Sequence, residues 1–209
     1  MSRFNSFRSV AATALTVVTL LAASGAQATL FTRLNNQAVY DDVAKLTWLQ
    51  DANANGAAMN WSTAMAWADG LIIGGVDDWR LPGGPMVTSG YDQTASEMGN
   101  LYYNVLGGVA EAGISAPYNA NYNLFQNIQS GCYWSGVAFA ADYAWVFGFN
   151  IGRQDFGAKY SSLFAWAVRS GDVGGNLVPA PGTLALLGAG LLGWVGVKRS
   201  RHRAGAVIG

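Results

Sequence analysis

Short apolar runs separated by polar turns fill the middle of the chain. Six runs rich in apolar and aromatic residues are typical of strands: 29–34, 38–41, 46–50, 133–136, 143–150 and 163–169. Within residues 143–150, Trp145, Phe147 and Phe149 alternate with other residues. Because successive side chains of a strand point to opposite faces, this pattern places the three rings on one face.

Two segments have helical periodicity instead. Residues 61–70 carry apolar side chains at helical spacing, and Gly70 is a typical helix stop. Thr94 and Glu97 have the spacing of a capping box before a second apolar run, which ends at Gly107. The pattern therefore predicts two helices among the strands.

Polar stretches connect these elements. Residues 119–130 are predicted to form a loop with isolated aromatic residues, and residues 152–157 a hairpin-like connection. The sequence contains no repeat of fixed period, and its predicted strands and helices are mixed along the chain.

The first 28 residues have the three parts of a secretory signal. Arg3 and Arg8 make the start positive, and residues 10–23 are an uncharged run of Ala, Val, Leu and Thr. Small residues at Ala26 and Ala28 predict cleavage after Ala28. The run is shorter than the roughly 20 residues of a spanning helix, which favours a signal peptide over a membrane anchor.

The C-terminal end contains a second apolar segment. Pro179 and Pro181 break the chain, residues 183–197 are apolar and Gly-rich, and residues 198–203 are basic. A basic cluster beside an apolar helix faces the cytoplasm. At about 1.5 Å per residue the apolar segment reaches roughly 23 Å, so we expect a thin transmembrane helix with the domain outside.

These three parts, in this order, resemble the PEP-CTERM sorting signal over residues 178–203. The resemblance implies a Gram-negative exported protein that is transiently anchored in the inner membrane and cleaved by an exosortase, after signal peptidase has removed the leader. Ala180 departs from the glutamate that gives the motif its name, and an ordinary tail anchor is the alternative. The motif residues are Val178, Pro179, Ala180, Pro181, Gly182, Arg199, Arg201 and Arg203.

The charges separate once both ends are set aside. The whole chain has twelve basic and twelve acidic residues and a net charge of zero. Six bases lie in the end segments and every acid lies between Asp41 and Asp172, so the domain of residues 29–177 has a net charge of −6. An acidic domain disfavours nucleic acid as a partner, because phosphates require a basic surface. Residues 204–209 remain as a short tail.

The scarcity of His and Cys excludes several kinds of site. The single His, His202, lies in the basic tail, so the domain cannot hold a Ser-His-Asp triad or a His-ligated zinc. Cys132 is the single cysteine and cannot form an intramolecular disulfide. We interpret it as a small buried thiol rather than a reactive one.

Five ordered blocks lie within residues 40–172, and their most characteristic residues are Asp78, Trp79, Arg80, Leu81, Pro82, Glu97, Trp134, Trp145 and Arg169. Together the blocks resemble the Lcl C-terminal-type domain, and the hallmark is the segment 78–82. The resemblance implies a compact α+β, C-type-lectin-like module of short antiparallel strands with two helices, akin also to the formylglycine-generating-enzyme fold. It further implies polysaccharide binding at a bacterial surface.

Arg80 is the cation of the hallmark segment. A guanidinium bonds two carboxylate oxygens at once, so we expect Arg80 to clamp loops together through Glu97 or another carboxylate. Contact with a ligand is the alternative role.

Aromatic residues suggest where a sugar could bind. The domain has seven Trp residues, and a chain of this length needs most of them in its core. One or two exposed rings beside amides would form a carbohydrate platform, which we expect in the loop of Tyr118, Asn119, Asn121 and Tyr122.

One segment matches the first half of a calcium-binding loop. Asp51, Asn53 and Asn55 offer oxygens at alternate positions and Gly56 follows as the turning residue. The twelfth position is Ser62 rather than glutamate, and an Asn/Gly turn with capping side chains is the alternative. We therefore expect the domain to need no cofactor, and calcium is the one ion that this segment could bind.

Taken together, these patterns predict an exported, non-enzymatic protein of the cell surface or extracellular matrix. It would bind polysaccharide, such as a biofilm exopolysaccharide, or another surface polymer. A carboxylate-based glycan hydrolase is one alternative, but it needs two carboxyl groups about 5–10 Å apart, and Asp41 and Asp42 would face opposite ways in a strand. A purely structural matrix component is the other.

Overall fold

Two antiparallel sheets form the framework of the domain in the computed structural model, which describes residues 28–113 and 119–174. The first sheet has the strand order β1-β2-β3-β7, with β1 (Leu30–Arg33), β2 (Ala38–Asp41), β3 (Leu46–Leu49) and β7 (Val168–Ser170). The second has the order β4-β5-β6, with β4 (Cys132–Ala138), β5 (Tyr143–Gly148) and β6 (Arg153–Ala158). With two short α-helices, this is the expected α+β architecture.

The first sheet confirms three predicted strands to within one residue at each end. β2 pairs with β1 and β3, and β3 pairs with β7, so the last strand returns to lie beside the third. β2 and β3 are buried along their whole length. The predicted strand over 163–169 is wrong in its first half, because Leu163 and Phe164 form only isolated bridges, to Met59 and Tyr133.

The second sheet contains a strand that the sequence pattern did not predict. Residues 153–158 pair with β5 over its full length, from Tyr143 opposite Ala158 to Gly148 opposite Arg153. The predicted hairpin connection over 152–157 is therefore wrong. Strand propensity depends mostly on neighbours, and the aromatic strand β5 offers the polar β6 a partner despite its Arg, Gln, Asp and Gly.

Helix α1 (Trp61–Asp69) confirms the first predicted helix. Asn60 caps its start, since the Asn60 side chain accepts a hydrogen bond from the Thr63 amide. Gly70 follows the last residue, as expected.

The second helix begins differently from the prediction. Helix α2 (Glu97–Asn100) is capped by Ser96, whose Oγ accepts a bond from the Gly99 amide, rather than by Thr94. The chain then continues as a π-helical turn over Leu101–Val105. A 3₁₀ helix, Ala120–Leu124, also lies within the predicted loop over 119–130.

Aromatic rings join the two sheets in one core. The buried Trp166 ring lies 5.3 Å from the Trp48 ring on the first sheet and 5.9 Å from the Tyr133 ring on the second. Its Nε1 donates to the Leu49 carbonyl over 2.8 Å, so the indole has no unpaired donor. The hydrogen bond and the ring contacts fix the sheets relative to each other.

A bidentate ion pair closes the domain near its end. Arg33 donates from Nε and Nη2 to the two carboxylate oxygens of Asp172, over 2.7 and 2.8 Å. Arg33 is 2% exposed and packs over the rings of Phe31 and Tyr40. This pair lowers the pKa of Asp172 and ties the chain after β7 to β1.

Candidate functional site

An open cleft of about 350 Å³ lies at the end of β3. Its volume is within the range of small-molecule sites. Of its eight lining residues, four have amide side chains, one has a carboxylate and three are aliphatic. The lining residues are Asn36, Gln37, Leu49, Gln50, Asp51, Ala54, Ile73 and Gln126.

Backbone hydrogen bonds hold three segments of this cleft together. The Gln126 amide donates to the Gln50 carbonyl over 2.8 Å, and the Ala52 amide donates to the Gln126 carbonyl over 2.9 Å. The Gln50 amide donates to the Gln37 carbonyl over 3.0 Å. The cleft is therefore a preformed feature of the fold, and a ligand would not have to order its backbone.

Amides are the commonest polar side chains among the residues that line the cleft. A side-chain amide both donates and accepts hydrogen bonds, as a sugar hydroxyl does. Asp51 is the single carboxylate among the described lining residues. Hydrolysis of a glycoside by paired carboxyl groups would need a second one across the bond.

The expected clamp between Arg80 and Glu97 is present outside this cleft. Arg80 Nη1 and Nη2 each donate over 2.7 Å to one oxygen of Glu97, and the Gly83 amide donates to the same carboxylate over 2.6 Å. The Arg80 backbone forms two bonds with Val168 in β7. The pair thus joins the hallmark segment, helix α2 and the first sheet, which is a structural role.

The tryptophans of the family motif are buried. Trp79, Trp134 and Trp145 are at most 5% exposed. The Trp79 indole donates to the Val76 carbonyl and that of Trp134 to the Met59 carbonyl. Since none of the three presents a free ring face, they belong to the core.

The other residues of the motif lie at the turn before Trp79, beneath β4 and in β7. Asp78 has a left-handed backbone, with φ of 60°, at the turn before Trp79. Leu81 and Pro82 are buried beneath β4, where the Gly136 amide donates to the Pro82 carbonyl. Arg169 lies in β7 opposite Thr47.

The loop expected to bind sugar is tied to the π-helical turn. The side-chain amides of Asn119 and Asn121 both donate to the Val105 carbonyl, over 2.8 and 3.0 Å. Tyr122 is half-buried and packs against the core. Tyr118 lies outside the described residues. The three described residues do not line the cleft, and a ligand role for this loop stays a prediction.

The candidate calcium loop borders the cleft. Asp51 lines the cleft and its Oδ1 accepts a bond from the Asn53 amide over 2.8 Å. Asn53 and Asn55 follow in the same turn. The described residues contain no group of three or more His, Cys, Asp or Glu side chains placed to hold a metal.

An exposed aromatic cluster on the second sheet was missed by the sequence analysis. Phe139 stacks on Phe156 at 4.4 Å, and Tyr143 packs edge-on against Phe156. These three residues are 48%, 42% and 43% exposed, and they partly cover Trp145. The alternating aromatic residues around Trp145 indicated one strand of this cluster. Phe156 was missed because residues 152–157 were predicted to form a hairpin connection rather than strand β6.

The thiol of Cys132 is free and half-buried. Burial raises its pKa, so it carries less thiolate than an exposed cysteine at neutral pH. This environment agrees with the interpretation of a packing residue.

The structure is therefore a small α+β domain with an aromatic core, an ion pair between Arg80 and Glu97, and an open cleft whose lining includes four amide residues. The family model of the Lcl C-terminal domain matches residues 37–169, and the chain belongs to this family. The match covers both sheets from β2 onward and the whole cleft except Asn36. Comparisons with curated proteins and with solved structures found no match.

The second family model is the PEP-CTERM protein-sorting motif, which matches residues 177–200. This motif identifies the chain as an exported protein that is transiently anchored through its C-terminal region and processed by an exosortase. The motif residues themselves, from Val178 to Arg203, lie outside the described residues, as does the predicted signal peptide. No helix within the described ranges is long and apolar enough to cross a membrane.

Proposed function

We propose that the exported domain is a non-enzymatic polysaccharide-binding module of the cell surface or extracellular matrix. The observation that carries this proposal is the preformed cleft, whose lining residues include Asn36, Gln37, Gln50 and Gln126. Neutral polysaccharides expose hydroxyl groups and aliphatic CH faces, which match these amides and the adjoining Leu49 and Ile73 side chains. The single carboxylate of the described lining favours binding over hydrolysis.

The expected likeness to C-type lectins is part of the same proposal. It is supported by the short antiparallel strands and two helices around one aromatic core. An experimental structure with a different connection of the two sheets from that of C-type lectins would refute it.

The test is a glycan-array screen of the purified full-length chain, followed by titration of the best glycan. We expect Gln50→Ala combined with Gln126→Ala to weaken binding at least tenfold. Gln129→Ala is the matched control, because Gln129 follows Gln126 in the same segment and does not line the cleft. Thermal melting of each variant separates a loss of contacts from a loss of folding.

Three outcomes would contradict the proposal. Absence of binding to every glycan would refute polysaccharide binding. Loss of binding in Phe156→Ala, with full binding in the cleft variant, would move the site to the exposed aromatic cluster. Release of new reducing ends from the bound glycan would show a hydrolase instead.

Surface fate needs a separate experiment. We expect fractionation of the producing cells to recover the protein at the surface or in the matrix, and mass spectrometry to show that residues 199–203 have been removed. Full retention in the inner membrane would contradict this fate.

A further inference from the structure

Two buried oxygens in the turn that follows β3 have no hydrogen-bond donor. They are Asn53 Oδ1 and Asn55 Oδ1, and both are shielded from solvent. A buried carbonyl oxygen without a donor is costly, and proteins normally satisfy it with a protein group, a water or a cation. Two such oxygens in one turn are candidate ligands for a cation.

The turn carries oxygen-bearing groups at the alternate spacing of calcium-binding loops. Asp51 precedes the two asparagines at the same alternate spacing, and its Oδ1 accepts a bond from the Asn53 amide, which orients the carboxylate towards the turn. The Asn55 side-chain amide bonds the Ala57 carbonyl, so a backbone oxygen lies beside the Asn55 side chain. Ca²⁺ prefers this mixture of carboxylate, amide and backbone oxygens.

The backbone of the turn is fixed independently of any ion. The Ala52 amide bonds the Gln126 carbonyl, and the Gly56 amide bonds the Asn53 carbonyl over 2.8 Å. Gly56 has φ of 74°, and a Cβ there would meet no atom within 4 Å. The positive φ, rather than a lack of space, therefore favours glycine at this position, which is the position where calcium loops turn sharply.

We propose that residues 51–57 bind one Ca²⁺ ion through Asp51, Asn53, Asn55 and the Ala57 carbonyl. The twelfth position, Ser62, cannot supply the bidentate carboxylate of a complete loop, and its hydroxyl donates to Asn60 instead. One carboxylate and an open coordination sphere give weak binding, with a Kd of about 10⁻⁴–10⁻³ M, as in extracellular calcium modules.

This inference goes beyond the proposed function, because the ion site stands on its own geometry. Asp51 and Ala54 nevertheless line the cleft, so the ion would lie at the cleft wall. Calcium binding is measured without a glycan. A failed glycan screen would leave the calcium site standing, and an absent calcium site would leave polysaccharide binding standing.

The experiment is calorimetric titration of CaCl₂ into the full-length chain after removal of metals with EDTA. We expect one site per chain, weaker binding of Mg²⁺, and a melting temperature that rises with calcium. Asp51→Asn should weaken binding at least tenfold. Asp69→Asn is the matched control, since Asp69 is an exposed acid at the end of α1, and it should bind as the unchanged protein does.

A second variant keeps the test informative if Asp51→Asn fails to fold. Asn55→Asp adds a carboxylate at the fifth position and replaces the Asn55 donor to Ala57 with a charge. Without calcium it should melt at a lower temperature than the unchanged protein, and calcium should restore the loss and bind more tightly. The proposal would be overturned if no heat of binding were seen at CaCl₂ concentrations up to 10-fold above the expected Kd. Equal calcium binding by Asp51→Asn and the unchanged protein would also overturn it.

Discussion

The clamp between Arg80 and Glu97 tests how the hallmark segment, helix α2 and the first sheet are held together. Glu97→Gln keeps the shape of the side chain but removes its charge and replaces one acceptor oxygen with a donor. One of the two 2.7 Å bonds from Arg80 is then lost, and the remaining bonds become neutral at the acceptor. Glutamine at this site therefore tests the charge and not the packing.

The expected loss follows from the number and exposure of these bonds. A hydrogen bond to a charged group contributes about 1.5–3 kcal/mol. Arg80 is 39% exposed and Glu97 is 17% exposed, so solvent screens part of this energy. We therefore expect Glu97→Gln to lower the free energy of unfolding by about 2 kcal/mol, which corresponds to roughly 6 °C in melting temperature for a domain of this size.

The assay is urea unfolding monitored by tryptophan fluorescence. Glu111→Gln is the matched control, because Glu111 is the other glutamate of the chain and its side chain is exposed. A double-mutant cycle with Arg80→Gln should give a coupling energy of at least about 1 kcal/mol. If Glu97→Gln and Glu111→Gln unfold within about 0.5 kcal/mol of each other, the clamp does not stabilise the domain and the reasoning is refuted.

Three further predictions concern the rest of the fold. Asp172 has a lowered pKa in the folded state, so its contribution to stability is present above about pH 4 and is lost as the pH falls through the folded pKa. In thermal melts, Asp172→Asn should therefore unfold more easily than the unchanged protein at pH 7. The variant should also lose less stability than the unchanged protein between pH 5 and pH 2. Gly99→Ala should cost at least about 2 kcal/mol in urea unfolding, because its Cβ would overlap the Gln93 carbonyl oxygen, whereas Gly83→Ala, with its nearest contact at 3.7 Å, should stay within about 0.5 kcal/mol. The Cys132 thiol should react slowly with a disulfide reagent at pH 8 and rapidly in urea, because burial raises its pKa; equal rates would contradict this.

The sequence pattern correctly predicted those strands and helices whose ends are set by residues adjacent in sequence. Strands β1 to β3 are separated by Asn, Asp and Gln turns, and helix α1 has its cap and its stop next to its ends. β6 was missed because its own residues favour a turn, and only pairing with β5 makes them a strand. The cap of α2 was misplaced by two residues because Ser96 and Thr94 are both suitable residue types, and only the structure shows that Ser96 accepts the bond from Gly99.

The site was harder to predict than the fold, because its residues come from separate segments. Gln37 and Gln126 meet at Gln50 through backbone bonds that no spacing in the sequence reveals. Glutamines are also ordinary surface residues, so their composition carries no signal. By contrast, Asp51, Asn53 and Asn55 were found as a motif, since a calcium loop is contiguous and its spacing is local.

The position of the ion pair between Arg33 and Asp172 bears on how sorting and folding are related. The last strand ends at Ser170, and Asp172 is bonded to β1 five residues before the sorting motif begins at residue 177. Every described strand and helix therefore precedes the motif. Because the described residues end at 174, cleavage by an exosortase within residues 177–200 would remove none of the contacts described here, including the ion pair between Arg33 and Asp172.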